Sequence, residues 1–223
     1  MRLLHISIRA WTATFRLPLL YSGPGLTSPL PPYSTILGLI GATAGREIIY
    51  GETRIGFVFK SAGTALDLET TQRLYVDNKG RLKPQKETGV AKRQFHIKPE
   101  LELYLDNLSF KKAFEYPANS ICLGRSQDLA WILDVDEVNA DSISEGIIKG
   151  TLIPFPEPNA AGLILVLPDY FDNSDYGYAR ETGKLRKYQA IKYDTPAKIR
   201  RNDLFRLQTS GETIYLHSLK ANE

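Results

Sequence analysis

The chain has 223 residues, 43% of them hydrophobic, with one cysteine, three histidines and a formal net charge of +3. That length and apolar content suffice for one large domain or a domain with a smaller annex. The single cysteine, Cys122, excludes an internal disulfide and a multi-cysteine zinc site, and three scattered histidines argue against a metal centre. No apolar run reaches the roughly 18 residues of a membrane span. Residues 2–15 alternate as a strand does, with Leu4, Ile6, Ile8 and Ala10 on one face and His5, Ser7, Arg9 and Trp11 on the other. This start does not read as a signal peptide, and a cytoplasmic setting is expected.

A Pro/Gly/Ser-containing loop over 16–29 leads to Pro31-Pro32, where the chain must be extended. Ser34 or Thr35 then caps a helix predicted over roughly 33–46. Gly38 and Gly41 share a face of that helix. They fit either close packing of the helix or a helix N-terminus that faces a phosphate. A strand follows over 53–64, with Ile55, Phe57 and Phe59 on one face. Residues 73–93 place an Asn78-Lys79-Gly80 turn between strand flanks and read as a long basic hairpin between two core strands. A strand over 95–105 begins at an edge or bulge marked by Pro99, and Asn107 caps a short helix carrying Leu108, Phe110 and Phe114. With a strand over 129–135, the order is β-α-β-β-α-β, that of a ferredoxin-like core. The chain after 138 reads as a small β-rich C-terminal domain, with strands over 163–167 and 213–219. The predicted class is therefore α+β, with domains at 1–137 and 138–223.

Charge is unevenly spread. Segments 73–98 and 180–201 each hold eight Lys/Arg against two acids, so each carries +6 and the remainder of the chain −9. Two such segments have the character of a polyanion footprint, against the alternative of solvated basic loops. The second also carries Tyr188 and Tyr193, with Tyr178 just before it. Segment 128–145 is the complement, with six acids and no Lys or Arg: a solvated face or a contact for a basic partner protein. In the hairpin, Lys79, Arg81, Lys83, Lys86, Lys92 and Arg93 suit the backbone of single-stranded RNA. Few aromatics interleave, which favours backbone clamping over base stacking. Gly124-Arg125-Ser126 offers close backbone approach, a guanidinium fork and a hydroxyl. Metal-independent RNA cleavage would need a base and an acid of the type of His96, Lys92 or Tyr50, and no second histidine pairs with His96.

Three ordered landmarks resemble the Cas-five family, the CRISPR Cascade subunit that holds the 5′ handle of the guide RNA. They are Phe15-Arg16-Leu17-Pro18 with Pro31-Pro32-Tyr33-Ser34-Thr35-Ile36-Leu37-Gly38-Leu39, the run from Lys92 to Leu105, and Leu123-Gly124-Arg125-Ser126-Gln127-Asp128-Leu129. The resemblance, to the type I-B-like group, implies a RAMP-type ferredoxin-like (RRM-like) core, a thumb hairpin at about 73–95 and a small C-terminal β domain. It implies a non-catalytic crRNA-binding subunit of a prokaryotic antiviral ribonucleoprotein, without metal or cofactor. The implied partners are the Cas-seven backbone subunit, a large Cascade subunit, crRNA and, through the assembled complex, target DNA. By the same resemblance Arg16, Tyr21, Ser22 and Ser34, with the Gly124-Arg125-Ser126 turn, line the handle-binding face. The competing reading is an endoribonuclease on the same fold that processes pre-crRNA.

Overall fold

The computed structural model describes residues 1–17, 25–48, 51–85, 89–172, 181–182 and 185–219. The expectations at Tyr21, Ser22, Tyr50, Lys86 and Tyr178 lie outside these residues. In chain order the elements are β1 (Arg2–Ala10), β2 (Thr12–Ala13), α1 (Tyr33–Ala44), β3 (Ile55–Lys60), β4 (Gly63–Thr71), β5 (Leu74–Val76), β6 (Leu82–Pro84), β7 (Gly89–Ile97) and β8 (Glu100–Leu105). A 3-10 turn (Leu108–Phe110) then runs into α2 (Lys111–Glu115) and β9 (Ala130–Ile148). The remaining strands are β10 (Thr151–Pro154), β11 (Leu163–Pro168), β12 (Phe171–Asp172), β13 (Glu181–Thr182), β14 (Leu185–Ile191), β15 (Ala197–Leu207) and β16 (Thr213–Tyr215). The protein is thus mostly strand with few helices.

The central sheet has the order β16-β15-β9-β1-β8-β3, with every pair antiparallel. Leu4, Ile6 and Ile8 are fully buried on one face, packed with Ile36, Leu39 and Ile40 of α1 and with Phe110 and Phe114. Full burial of each such side chain contributes about 1.5–3 kcal/mol. The opposite face holds a charge network: Arg9 pairs with Glu100 (3.0 Å) and Glu102 (2.8 Å), and His5 Nε2 lies 2.8 Å from Glu102. The strict alternation of β1 therefore separates core from network, as its pattern predicts. Asn107 caps the 3-10 turn as expected, accepting from the Ser109 N–H.

Several boundaries differ from the sequence reading. α1 starts at Tyr33 with Pro32 as its N-cap and no side-chain cap, so Ser34 and Thr35 sit in the first turn. The Pro32 carbonyl itself accepts from Thr35 and Ile36 N–H. The expected strand over 53–64 is two strands, β3 and the start of β4, broken before Gly63, which sits at φ +154°. The expected strand over 95–105 breaks at Lys98 (φ +46°) and Pro99, so its first residues belong to β7. The strand predicted over 129–135 runs on to Ile148 because its second half pairs with β15. The 137/138 boundary consequently falls inside β9, and β15 and β16 join the same sheet as β1.

Candidate nucleic-acid interface

β4 and β7 pair over nine residues, from Gly63↔Ile97 to Thr71↔Gly89. At about 3.4 Å per residue this ladder is roughly 30 Å long; β2 pairs with the other side of β7 at its base, and β5 and β6 extend its far end. The thumb thus starts ten residues before the position expected from the basic run. Its first arm is not basic: Leu66 and Leu68 alternate with Ala65, Asp67 and Glu69, a pattern also fitting a core strand.

The tip is organised by Asp77. Its Oδ1 accepts the N–H groups of Lys79 and Arg81, both at 2.9 Å, and Gly80 supplies a φ of +75°. The Arg81 N–H, foremost, holds the Asp77 carboxyl below its ordinary range. Lys83 Nζ pairs with Asp77 Oδ2 at 3.1 Å. Lys79, Arg81 and Lys92 are exposed, and among the described residues none of them has an ion-pair partner. The register sets Leu66, Leu68 and Val90 on the same face as Lys92. Leu66, Leu68 and Val90 are each over 60% exposed, and Leu74, Tyr75, Val76 and Leu82 are exposed at the tip. This apolar stripe is the feature that the sequence reading misses, because Leu66 and Leu68 fall between the expected strand over 53–64 and the basic run over 73–93.

The other predicted residues gather at the base of the thumb. Arg93 faces inward: its Nε bonds Glu69, and its side chain lies against Gly25. The 25–28 strip is laced along β7, with Gly25 N–H donating to Lys92 O and Gln94 N–H to Gly25 O, both at 2.8 Å. Arg16 is exposed and bridges Thr27. Arg125 does not hold its fork open: Nε and Nη2 bond the two oxygens of Asp128 at 2.9 and 3.0 Å. Asp128 is fully buried and also accepts from Thr12 Oγ1 at 2.6 Å. Burial raises its pKa, but the Arg125 and Thr12 hydrogen bonds outweigh this and hold the carboxyl below its ordinary range.

Gly124 has φ +112°, and a Cβ there would sit 1.8 Å from Thr14 O, so the turn is pressed directly onto the chain leaving β2. Ser126 is exposed in that turn. The structure therefore brings Arg93, Gly124 and Arg125 to the thumb base, and leaves Lys79, Arg81, Lys83 and Lys92 along its length.

Two further expectations resolve differently. Pro31, Pro32, Tyr33 and Ser34 are buried, and Tyr33 Oη donates to Leu152 O at 2.8 Å. The α1 N-terminus thus packs on C-terminal strands rather than opening to a phosphate. Gly38 has nothing within 4 Å of its Cβ position, so close packing does not explain it, whereas Gly41 lies against Arg46 O. His96 is 3% exposed, with Nε2 2.9 Å from Ser28 O and Nδ1 3.1 Å from Ser61 Oγ. Burial pushes its pKa down, which favours the neutral ring.

Among the described residues, four cations of the second basic segment are paired, Arg186 with Asp169 among them. Lys198 and Arg200 pair with Glu145 across the β9–β15 ladder, and Arg201 with Asp203 and Glu157. Among the described residues no cluster of three or more His, Cys, Asp or Glu suits a metal, and no helix is long and apolar enough to cross a membrane.

No family model matches the sequence, and no curated protein matches it. Solved structures do match in fold. A chain of a CRISPR RNA-guided surveillance complex aligns with TM-score 0.52 and 16% identity over 88% of this chain and 91% of its own. A CRISPR protein from Archaeoglobus fulgidus aligns with TM-score 0.50 and 12% identity over 98% and 100%. A chain of the type III-B Cmr-beta complex bound to cognate target RNA aligns with TM-score 0.52 and 12% identity over 90% and 86%. The chain shares its fold with CRISPR-associated proteins.

Proposed function

We propose that this chain is a non-catalytic crRNA-binding subunit of a type I CRISPR Cascade effector, of Cas-five type, that caps the complex at the crRNA 5′ handle. The observation that carries the reading is the projecting hairpin, with Lys79, Arg81, Lys83 and Lys92 exposed along it. RNA phosphates are the matching ligand for cations spaced along a narrow arm. The exposed Leu66, Leu68 and Val90 add an apolar face that can lie against unstacked bases. We read the β9-β1-β8-β3 order, fourth–first–third–second among these core strands, as the ferredoxin-like core of a RAMP protein. The similarity in fold to subunits of RNA-guided complexes supports this reading, as does the burial of His96, which removes the best candidate base from solvent. The partners in this reading are a Cas-seven backbone subunit and a large Cascade subunit, in the cytoplasm of a prokaryote.

The test is a salt titration of binding to repeat-derived handle RNA. Changing Lys79, Arg81, Lys83 and Lys92 to Ala should flatten the log–log slope by up to about 2.8, at roughly 0.7 per lost single-strand contact. An unchanged slope would remove the hairpin from the RNA interface. Site-specific cleavage of repeat RNA by the purified chain in EDTA would instead establish the endoribonuclease reading.

A further inference from the structure

β9 is flanked on both sides along only part of its length. Residues 130–139 pair with β1, and residues 140–148 pair with β15. On the side away from β1, the first half has no neighbouring strand among the described residues. Two hydrogen bonds mark the ends of that open side. Ala130 N–H donates to Ile121 O, and Asn139 O accepts from Gln208 N–H, both at 2.9 Å. Between them backbone alternation, shifted once opposite Ser7 and Ile8, turns the polar groups of Ile132, Val135 and Glu137 outward. The Val135 N–H is covered only by the side chain of its neighbour, Asp134 Oδ1, at 3.0 Å. A groove lined by Phe114, Tyr116, Ile121, Trp131 and Leu133 runs beside this edge, and Tyr116 and Leu133 are each more than half exposed.

The chemistry of the edge selects among occupants. Segment 128–145 holds six acids and no base. Glu137 is engaged by Arg2 and Lys111, but Asp134 and Asp136 are exposed and have no ion-pair partner among the described residues. RNA is repelled by this strip. A second copy docking edge to edge would set the same carboxylates against each other, which is destabilising. An extended segment that carries cations satisfies both the open backbone groups and the charge, and apolar residues alternating with them fit Trp131 and Leu133.

We propose that the edge of β9 over 131–138 docks an extended, Lys/Arg-bearing segment of a partner protein, which adds a strand beside β9. This goes beyond the RNA reading and does not depend on it.

The probe is a capped ten-residue peptide alternating Lys and Val, with the Glu-for-Lys peptide as control, measured at about 0.15 M salt where long-range attraction is screened. The Lys-Val peptide should bind the full chain and slow amide exchange at Ile132, Val135 and Glu137 about tenfold or more, and the Glu-Val peptide should do neither. The double variant Asp134→Lys/Asp136→Lys should reverse that preference. Val135→Pro removes an outward donor without touching the β1 ladder and should abolish the protection. If Val135→Pro fails to fold, the surface double variant carries the test alone. Binding without protection of those amides, equal binding of both peptides, or the same protection from self-association or from RNA would each overturn the proposal.

Discussion

Arg125 shows how a side chain with the right chemistry for a ligand can be consumed by the fold. Its guanidinium is forked onto Asp128, and Asp128 in turn holds Thr12 of β2. Removing the guanidinium leaves a buried carboxylate held only by the Thr12 hydroxyl and, at 3.3 Å, by the backbone N–H of residue 125. Arg125→Ala is therefore expected to cost on the order of 2–3 kcal/mol of stability, read as a lower denaturation midpoint. The pH dependence follows in sign. Because the folded pKa of Asp128 is depressed, its stabilisation is present above the unfolded carboxylate value and is lost as pH falls through the folded one. In Arg125→Ala, acid unfolding should begin at higher pH than in the parent, and an unchanged acid limb would show that the pair is energetically idle. The signal was in the sequence, since Asp128 stands three residues after Arg125. What it lacked was burial, which alone decides that the carboxylate needs the cation more than a phosphate would. Arg93 is a harder case, because Glu69 lies 24 residues away on the opposite arm of the hairpin.

The elements themselves were legible where one face is buried and one is not. β1, β8 and the caps of the short helix follow from alternation and from Asn107. The sequence shows only the first part of β9, because 136–148 is polar and exposed over much of its run. Its partner β15 supplies the missing order through backbone pairing and through Lys198 and Arg200 on Glu145. The turn and the charge place the thumb, but its first arm carries neither: only Gly63 and Thr64 fall in the expected strand over 53–64, and the rest alternates leucine with acids. Its tip is independent of the core: none of residues 74–84 is buried, and the arm is closed beneath them by Gln85 N–H donating to Arg73 O at 2.8 Å. Replacing 74–84 with Asn-Gly, a two-residue hairpin turn, is expected to leave thermal stability within about 0.5 kcal/mol of the parent. The same replacement should weaken handle RNA binding by removing Lys79, Arg81 and Lys83. A large loss of melting temperature would show that the tip supports the fold.

At the scale of the molecule, the largest buried cluster crosses the expected boundary at 138, while a smaller one is made of residues after it alone. Tyr33 of α1 stacks on His217 with ring centroids 4.2 Å apart and meets Tyr188 at 5.5 Å, all within one buried cluster. β15 and β16 complete the sheet that β1 anchors. A fragment of residues 1–137 is expected to show no cooperative thermal transition while the full chain shows one, because the cut severs β9 and strips the cover from Tyr33. A cooperative melt of the fragment would restore an independent N-terminal domain. The position of β1 has a consequence for synthesis as well. β1 is made before every other strand of its sheet yet lies inside it, and its partners lie at 100–105 and 130–139. At about 5–20 residues per second, it waits roughly 7–30 s for both neighbours. During that interval Leu4, Ile6 and Ile8 form a β-prone apolar segment with nothing to pair with. His5, Ser7 and Arg9 then act as gatekeepers of the nascent chain, before they have any folded network to join.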